Sequence, residues 1–276
     1  MVGLSMSWAR IMAPVAGGDA DMAVLEVAAT IATPFEAEVA AVYAPADVAD
    51  LMPWMGEGFM GGVQVTAVQS LKEATEEGER AARTSLNALA YPKKTFTALA
   101  SPVWSALSME GRLSDLVVFD DATAKGKGPL AESFQQIVAD EQRPTLVARP
   151  GLAPDGVVAI AWDGGKEASR AARTALPLLQ MASRVVILAA PASSARYFDP
   201  ARLQDFFQVR GVKSEVESLK DGGDPAPALL GAAKRLGASL LVAGAFGHPR
   251  LQEFIFGGAT RTFLNAGDAP SLFLSH

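Results

Sequence analysis

Three glycines, Gly244, Gly247 and Gly257, stand at fixed intervals in a segment that runs on through Gly258, Ala259 and Thr260. The segment follows an apolar run, Ser239–Ala243, which reads as a buried strand. Glycine at a strand end lets backbone approach backbone or ligand where a Cβ would collide. The second glycine cluster opens a helical stretch, whose unpaired N–H groups and positive dipole end suit an anion. The implied geometry is a strand, a loop and a helix start folded around a phosphate.

Few other residues offer chemistry. Asp163, which precedes Gly164 and Gly165 at another strand end, is either a ligand-binding residue or a cap for the following helix. His248 beside Gly247 could act as a general base, though His-Pro in a loop is more often solvent-facing punctuation. Arg250 and Arg261 could meet a terminal phosphate or sit on a solvated face. Trp162 and Phe246 could stack on a flat ring or pack in the core. No Ser-His-Asp order, no paired carboxylates near a glycine loop and no metal-ligand cluster is visible. The lysine-bearing phosphate loop of ATP-hydrolysing folds is also missing. With no cysteine and two histidines, thiol catalysis, disulfides and zinc-thiolate sites are excluded.

The elements that must position these residues come in two sets. Arg10–Gly18 and Val157–Gly165 are both short apolar strands that end in Gly-Gly before an Ala-rich helix. Arg112–Phe119 matches Arg235–Val242, each a helix end running into a buried strand, and Arg143–Ala148 matches Ala269–Leu274. Three landmarks in the same order indicate a tandem repeat. Strands are expected near 10–15, 37–43, 94–100, 115–119 and 145–148, then near 157–162, 184–190, 212–218, 239–243 and 271–274. Helices are expected near 20–33, 69–89, 102–112 and 129–140, then near 166–182, 200–209, 225–236 and 257–266. Alternating strands and helices build parallel sheets covered on both faces. The fold class is therefore α/β, with two tandem doubly wound five-stranded parallel-sheet domains. They are expected at residues 1–152 and 153–276, joined by the Pro- and Gly-rich 150–156 linker. The loop at 50–62 reads as a lid, a partner-binding segment or a plain connection.

The Gly-x2-Gly-x9-Gly spacing of Gly244, Gly247 and Gly257, closing a five-stranded repeat, resembles the universal stress protein family, here as a Rossmann-like tandem pair. In that family the glycine motif accompanies ATP binding, with or without Mg²⁺. The resemblance implies that Asp163 faces the ribose and adenine, and that Gly244 and Gly247 make room for sugar and phosphates. Backbone amides from Gly257 to Ala259 would hold the phosphates. It also implies that strand one lies beside strand four, where open α/β sheets bind ligands. The residue after the third glycine is usually Ser or Thr; here it is Gly258, with Thr260 two places on as a substitute. Loss of one neutral hydrogen bond costs about 0.5–1.5 kcal/mol, at most roughly tenfold in affinity.

The first half departs further. Ala16 replaces Asp163, Asp120 replaces Gly244, and Thr123 replaces Gly247. Asp120 and Asp121 bring negative charge to the phosphate position, and Lys125–Gly128 is a mobile basic loop rather than the motif. The first half is not expected to hold ATP. The leading expectation is a non-enzymatic stress-response protein binding an adenine nucleotide in its second domain. The competing ones are a nucleotide-free interaction module and a slow ATPase. In the family single domains pair through their last strands, so Thr145–Ala148 and Ser271–Leu274 could form an internal pseudo-dimer or recruit a second chain as a homodimer.

The 276 residues are half hydrophobic and one-fifth charged, with a net charge of −6 and no Lys/Arg block. Nucleic acid and anionic membrane surfaces are poor partners for such a surface. No apolar run reaches the roughly 18 residues of a membrane span, and the opening ten residues do not read as a signal peptide. A cytoplasmic protein is expected.

Overall fold

The computed structural model describes residues 7–45, 61–99, 103–189, 198–220, 224–245 and 258–276. It divides into two compact units, Ala9–Ile137 and a second formed by Met1–Trp8 with Val138–His276.

The first unit carries β1 (Arg10–Val15), β2 (Glu38–Tyr43), β3 (Lys94–Ala98) and β4 (Leu116–Asp120), parallel and in the order β3-β2-β1-β4. Nearly every residue of β1 and β2 is buried, so the apolar runs show no alternation. That is the signature of strands covered on both faces. β3 at the edge is only partly covered. Helices Ala20–Ala32, Gly61–Ala88, Val103–Arg112 and Ala131–Ala139 supply the cover. The Asp115 carboxylate accepts the backbone N–H groups of Ala9 and Arg10 at 2.7 and 3.0 Å. It thereby secures the entry of β1 beside β4.

The second unit carries β5 (Thr145–Ala148), β6 (Val157–Trp162), β7 (Arg184–Ala189), β8 (Ser214–Ser218), β9 (Leu240–Gly244) and β10 (Ser271–Ser275), in the order β5-β10-β9-β6-β7-β8. Five of these strands are parallel. β5 runs antiparallel to β10, with Leu146 opposite Phe273. The closing strand of the first half is therefore packed with the second half, and β10 has a neighbour on both edges. Arg149, immediately after β5 and 5% exposed, donates to the carbonyls of Phe263, Leu264 and Pro270. Those first two carbonyls end the helix Gly258–Asn265, where orphan acceptors and the negative dipole end favour a cation. Trp8 stacks parallel on Phe273 at 6.3 Å.

All ten expected strands form. The helix expected over 166–182 is two, Lys166–Thr174 and Leu176–Leu179, because Pro177 lacks the N–H that a continuous helix needs. The helix expected over 69–89 begins earlier, at Gly61. Lys125–Gly128, expected as a free basic loop, follows a helical turn over Asp121–Ala124, and the Lys125 amine pairs with the Asp121 carboxylate. Residues 50–60 of the aromatic loop lie outside the described residues.

Candidate functional site

In the second unit the first strand of the repeat, β6, lies beside the fourth, β9, and the winding direction reverses between them. At the carboxyl ends of these two strands is a cavity of about 370 Å³, towards the lower end of the roughly 300–1,000 Å³ common for small-molecule sites.

Its floor is made by two strand ends. β6 finishes in Trp162, and the chain turns through Gly164, whose φ of +76° favours a residue without Cβ. Asp163 is exposed at the mouth, and its Oδ1 accepts the Gly165 N–H at 2.8 Å. Gly165 is itself the N-cap of the next helix, without a side-chain cap bond. Asp163 thus stabilises the turn rather than capping the helix, and it lines the cavity at the same time. Gly244 ends β9. A Cβ there would lie 2.6 Å from the Ala168 nitrogen and 2.7 Å from the Glu167 carbonyl carbon. The space gained by this glycine is taken by the start of the Lys166–Thr174 helix, which is thereby seated on the strand end.

The opposite wall is the helix that begins at Gly258. Gly258, Ala259 and Thr260 all line the cavity, in the first described turn of that helix. A Cβ added at Gly258 would meet nothing within 4 Å. Thr260 is 3% exposed, and its hydroxyl has no hydrogen bond to any described residue. The apolar lining comes from Ala161, Trp162, Leu229, Ala243 and Phe263.

Five of the expected site residues, Asp163, Gly244, Gly258, Ala259 and Thr260, therefore meet at one crevice. Gly247 and Gly257, with Phe246, His248 and Arg250, lie outside the described residues. Trp162 is buried, edge-on to Phe198 at 5.9 Å, with Nε1 donating to the Phe198 carbonyl; it is chiefly a packing residue. Arg261 is exposed and is not among the lining residues. Sequence reasoning missed Glu167 and Asp224, which also line the cavity. Asp224 was findable: Asp224-Pro225 is a helix-start signature, and its carboxylate does accept the Ala226 N–H at 3.0 Å. Nothing in the sequence singles out Glu167.

The matching place in the first unit is built differently. Gly17 makes the same left-handed turn, with φ of +77°. A Cβ there would lie 2.5 Å from the Cα of Gly78, so the long Gly61–Ala88 helix rests directly on the turn. Asp21, 4% exposed, turns its carboxylate back on this corner and accepts the N–H groups of Ala16 at 3.0 Å and Gly17 at 2.8 Å. Burial raises the Asp21 pKa above the ordinary carboxylate value; those backbone bonds pull it down, and the nearby Asp120 charge adds a smaller upward push. Asp120 accepts hydrogen bonds from the backbone N–H and the hydroxyl of Thr123. Asp21 was not singled out from the sequence.

Among the described residues no group of three His, Asp or Glu side chains is placed to hold a metal, and no helix is long and apolar enough to cross a membrane. Residues 156–274 match the model of the family described as the Universal stress protein family. Over nearly the whole chain the fold is similar to a universal stress protein from Archaeoglobus fulgidus DSM 4304. That match has a TM-score of 0.62 and 14% identity, covering 96% of this chain and 95% of that one. It is also similar to a protein of unknown function from Pseudomonas aeruginosa PAO1, with a TM-score of 0.56 and 13% identity, covering 97% and 92%. Comparison with curated proteins gives no match.

Proposed function

We propose that this chain, whose residues 156–274 match the model of the universal stress protein family, binds ATP or a related adenine nucleotide in its second unit as a non-enzymatic, stress-responsive regulator. The observation that carries this reading is the cavity at the carboxyl ends of β6 and β9, where Asp163, Gly244, Gly258, Ala259 and Thr260 converge. Open α/β sheets bind ligands at such a reversal point. In this reading Asp163 faces the ribose and adenine, while the amides of Gly257, Gly258 and Ala259 receive phosphate oxygens. Gly247 completes the loop, Thr260 offers its hydroxyl, and Mg²⁺ accompanies the polyphosphate. Binding occurs without turnover.

The first repeat serves as a structural partner that holds no nucleotide. Supporting this, the N–H groups of Ala16 and Gly17 are already engaged by Asp21. The near-identical φ of Gly17 and Gly164 supports a repeat. The antiparallel β5–β10 pair supports an internal pseudo-dimer contact between the closing strands of the two repeats.

Calorimetric titration with ATP and Mg²⁺ tests the site, with sub-millimolar affinity expected. Asp163→Ala and Thr260→Val are each expected to weaken binding by about threefold to tenfold. Affinity indifferent to both substitutions would place the nucleotide elsewhere.

A further inference from the structure

We infer that this site takes its affinity from the nucleoside rather than from the phosphates, so that it favours adenine ligands of low negative charge; the inference rests on the adenine-nucleotide reading above. Three acidic residues, Asp163, Glu167 and Asp224, are among the residues lining the cavity, and no lysine or arginine is among its described lining residues. The adjacent cation, Lys166, leans on Glu167 at 3.4 Å with its side chain 77% exposed, so it is largely screened by solvent. Like charges at this density disfavour a metal-free polyphosphate carrying several negative charges.

Carboxylates are hydrogen-bond acceptors and want donors. Ribose hydroxyls and an exocyclic amino group supply them; phosphate oxygens do not. Thr260 lines the same cavity, and its hydroxyl can add one polar contact to a ligand there. The apolar walls, Ala161, Leu229, Ala243 and Phe263, suit a flat uncharged ring. At about 370 Å³ the cavity is on the scale of a nucleoside, leaving any phosphate chain towards the Gly258 helix start and solvent.

The experiment is calorimetry on the full-length protein with adenosine, AMP, metal-free ATP, ATP with Mg²⁺, and tripolyphosphate alone. Adenosine and AMP are expected to bind at least about tenfold tighter than metal-free ATP, with Mg²⁺ recovering most of the deficit and tripolyphosphate not binding. In Glu167→Gln/Asp224→Asn, which keeps side-chain size and the helix cap, the preference for adenosine over metal-free ATP is expected to shrink about tenfold. Metal-free ATP binding tighter than adenosine, or a ratio unmoved in the double variant, overturns the inference while leaving the nucleotide site standing. Binding by none of the adenine ligands removes that site, and this inference with it.

Discussion

The crevice at the end of β1 and β4 and the crevice at the end of β6 and β9 use the same turn for opposite ends. Each begins with a strand that stops at a left-handed glycine, Gly17 or Gly164. In the second unit the positions that follow are small: Ala168 on the helix and Gly244 on the strand, packed so closely that a Cβ would collide. In the first unit the same two positions are Asp21 and Asp120. The Asp21 carboxylate takes the N–H groups that a bound anion would otherwise need, and the Gly61–Ala88 helix lies over the corner. Under the proposed reading, the Asp21 carboxylate stands where the second unit would hold an external anion. Closure of a crevice thus needs no change of fold, only a side chain long enough to reach its own backbone donors.

Making the second crevice resemble the first should produce the largest effect. Gly244→Asp places both a Cβ and a charge against Glu167 and Ala168. It is expected to lower adenine-nucleotide affinity at least about a hundredfold and to reduce stability by about 1–3 kcal/mol. The reciprocal Asp120→Gly leaves Asp21 and the long helix in place and should add no second nucleotide equivalent. Calorimetric stoichiometry and denaturant unfolding read both, and a second equivalent in Asp120→Gly would break the contrast.

The next effect concerns the buried carboxylate itself. Asp21 has a folded pKa above its reference value of 3.8, so the native state binds this proton more tightly than the unfolded chain. Its contribution to stability is therefore fully present below about 3.8 and is lost as pH rises through the folded value. Relative to Asp21→Asn, the wild type should become more stable on acidification across that window, by at most about 1.4 kcal/mol per pH unit. Unfolding midpoints of the pair at several pH values test this. A difference that is flat, or that grows with rising pH, would show that the backbone hydrogen bonds to Asp21 match or outweigh its burial.

The smallest effect sharpens the second site. Gly258 has room for a side chain, so Gly258→Ser should restore a hydroxyl at the helix start without strain. ATP with Mg²⁺ is expected to bind about threefold to tenfold tighter, with adenosine unchanged. Equal gains for the two ligands would mean that position 258 does not face the phosphates.

Much of the fold was legible because its signals are local. The unbroken apolar runs of β1, β6 and β9 announce strands buried on both faces, and the Gly-Gly pairs mark where two of them turn. The candidate cavity was legible through Asp163, Gly244 and Gly258, which do line it. Glu167 was not, because a glutamate in the first turn of a helix is commonplace until its neighbours are known. Asp21 escaped for the same reason: a carboxylate early in a helix reads as a solvated dipole partner, and only its burial against Ala16 and Gly17 shows otherwise.

By itself the amino-acid order determined the α/β alternation, the two matching sets of strands and the turn geometry at Gly164, since each depends on a few consecutive side chains and their backbone preferences. Tertiary structure decided what fills each crevice, that Gly244 makes room for a helix start, and that Thr145–Ala148 lies antiparallel against Ser271–Ser275. Those outcomes depend on which distant segments compete for the same buried space and the same unpaired donors, and periodicity along the chain carries no record of that competition.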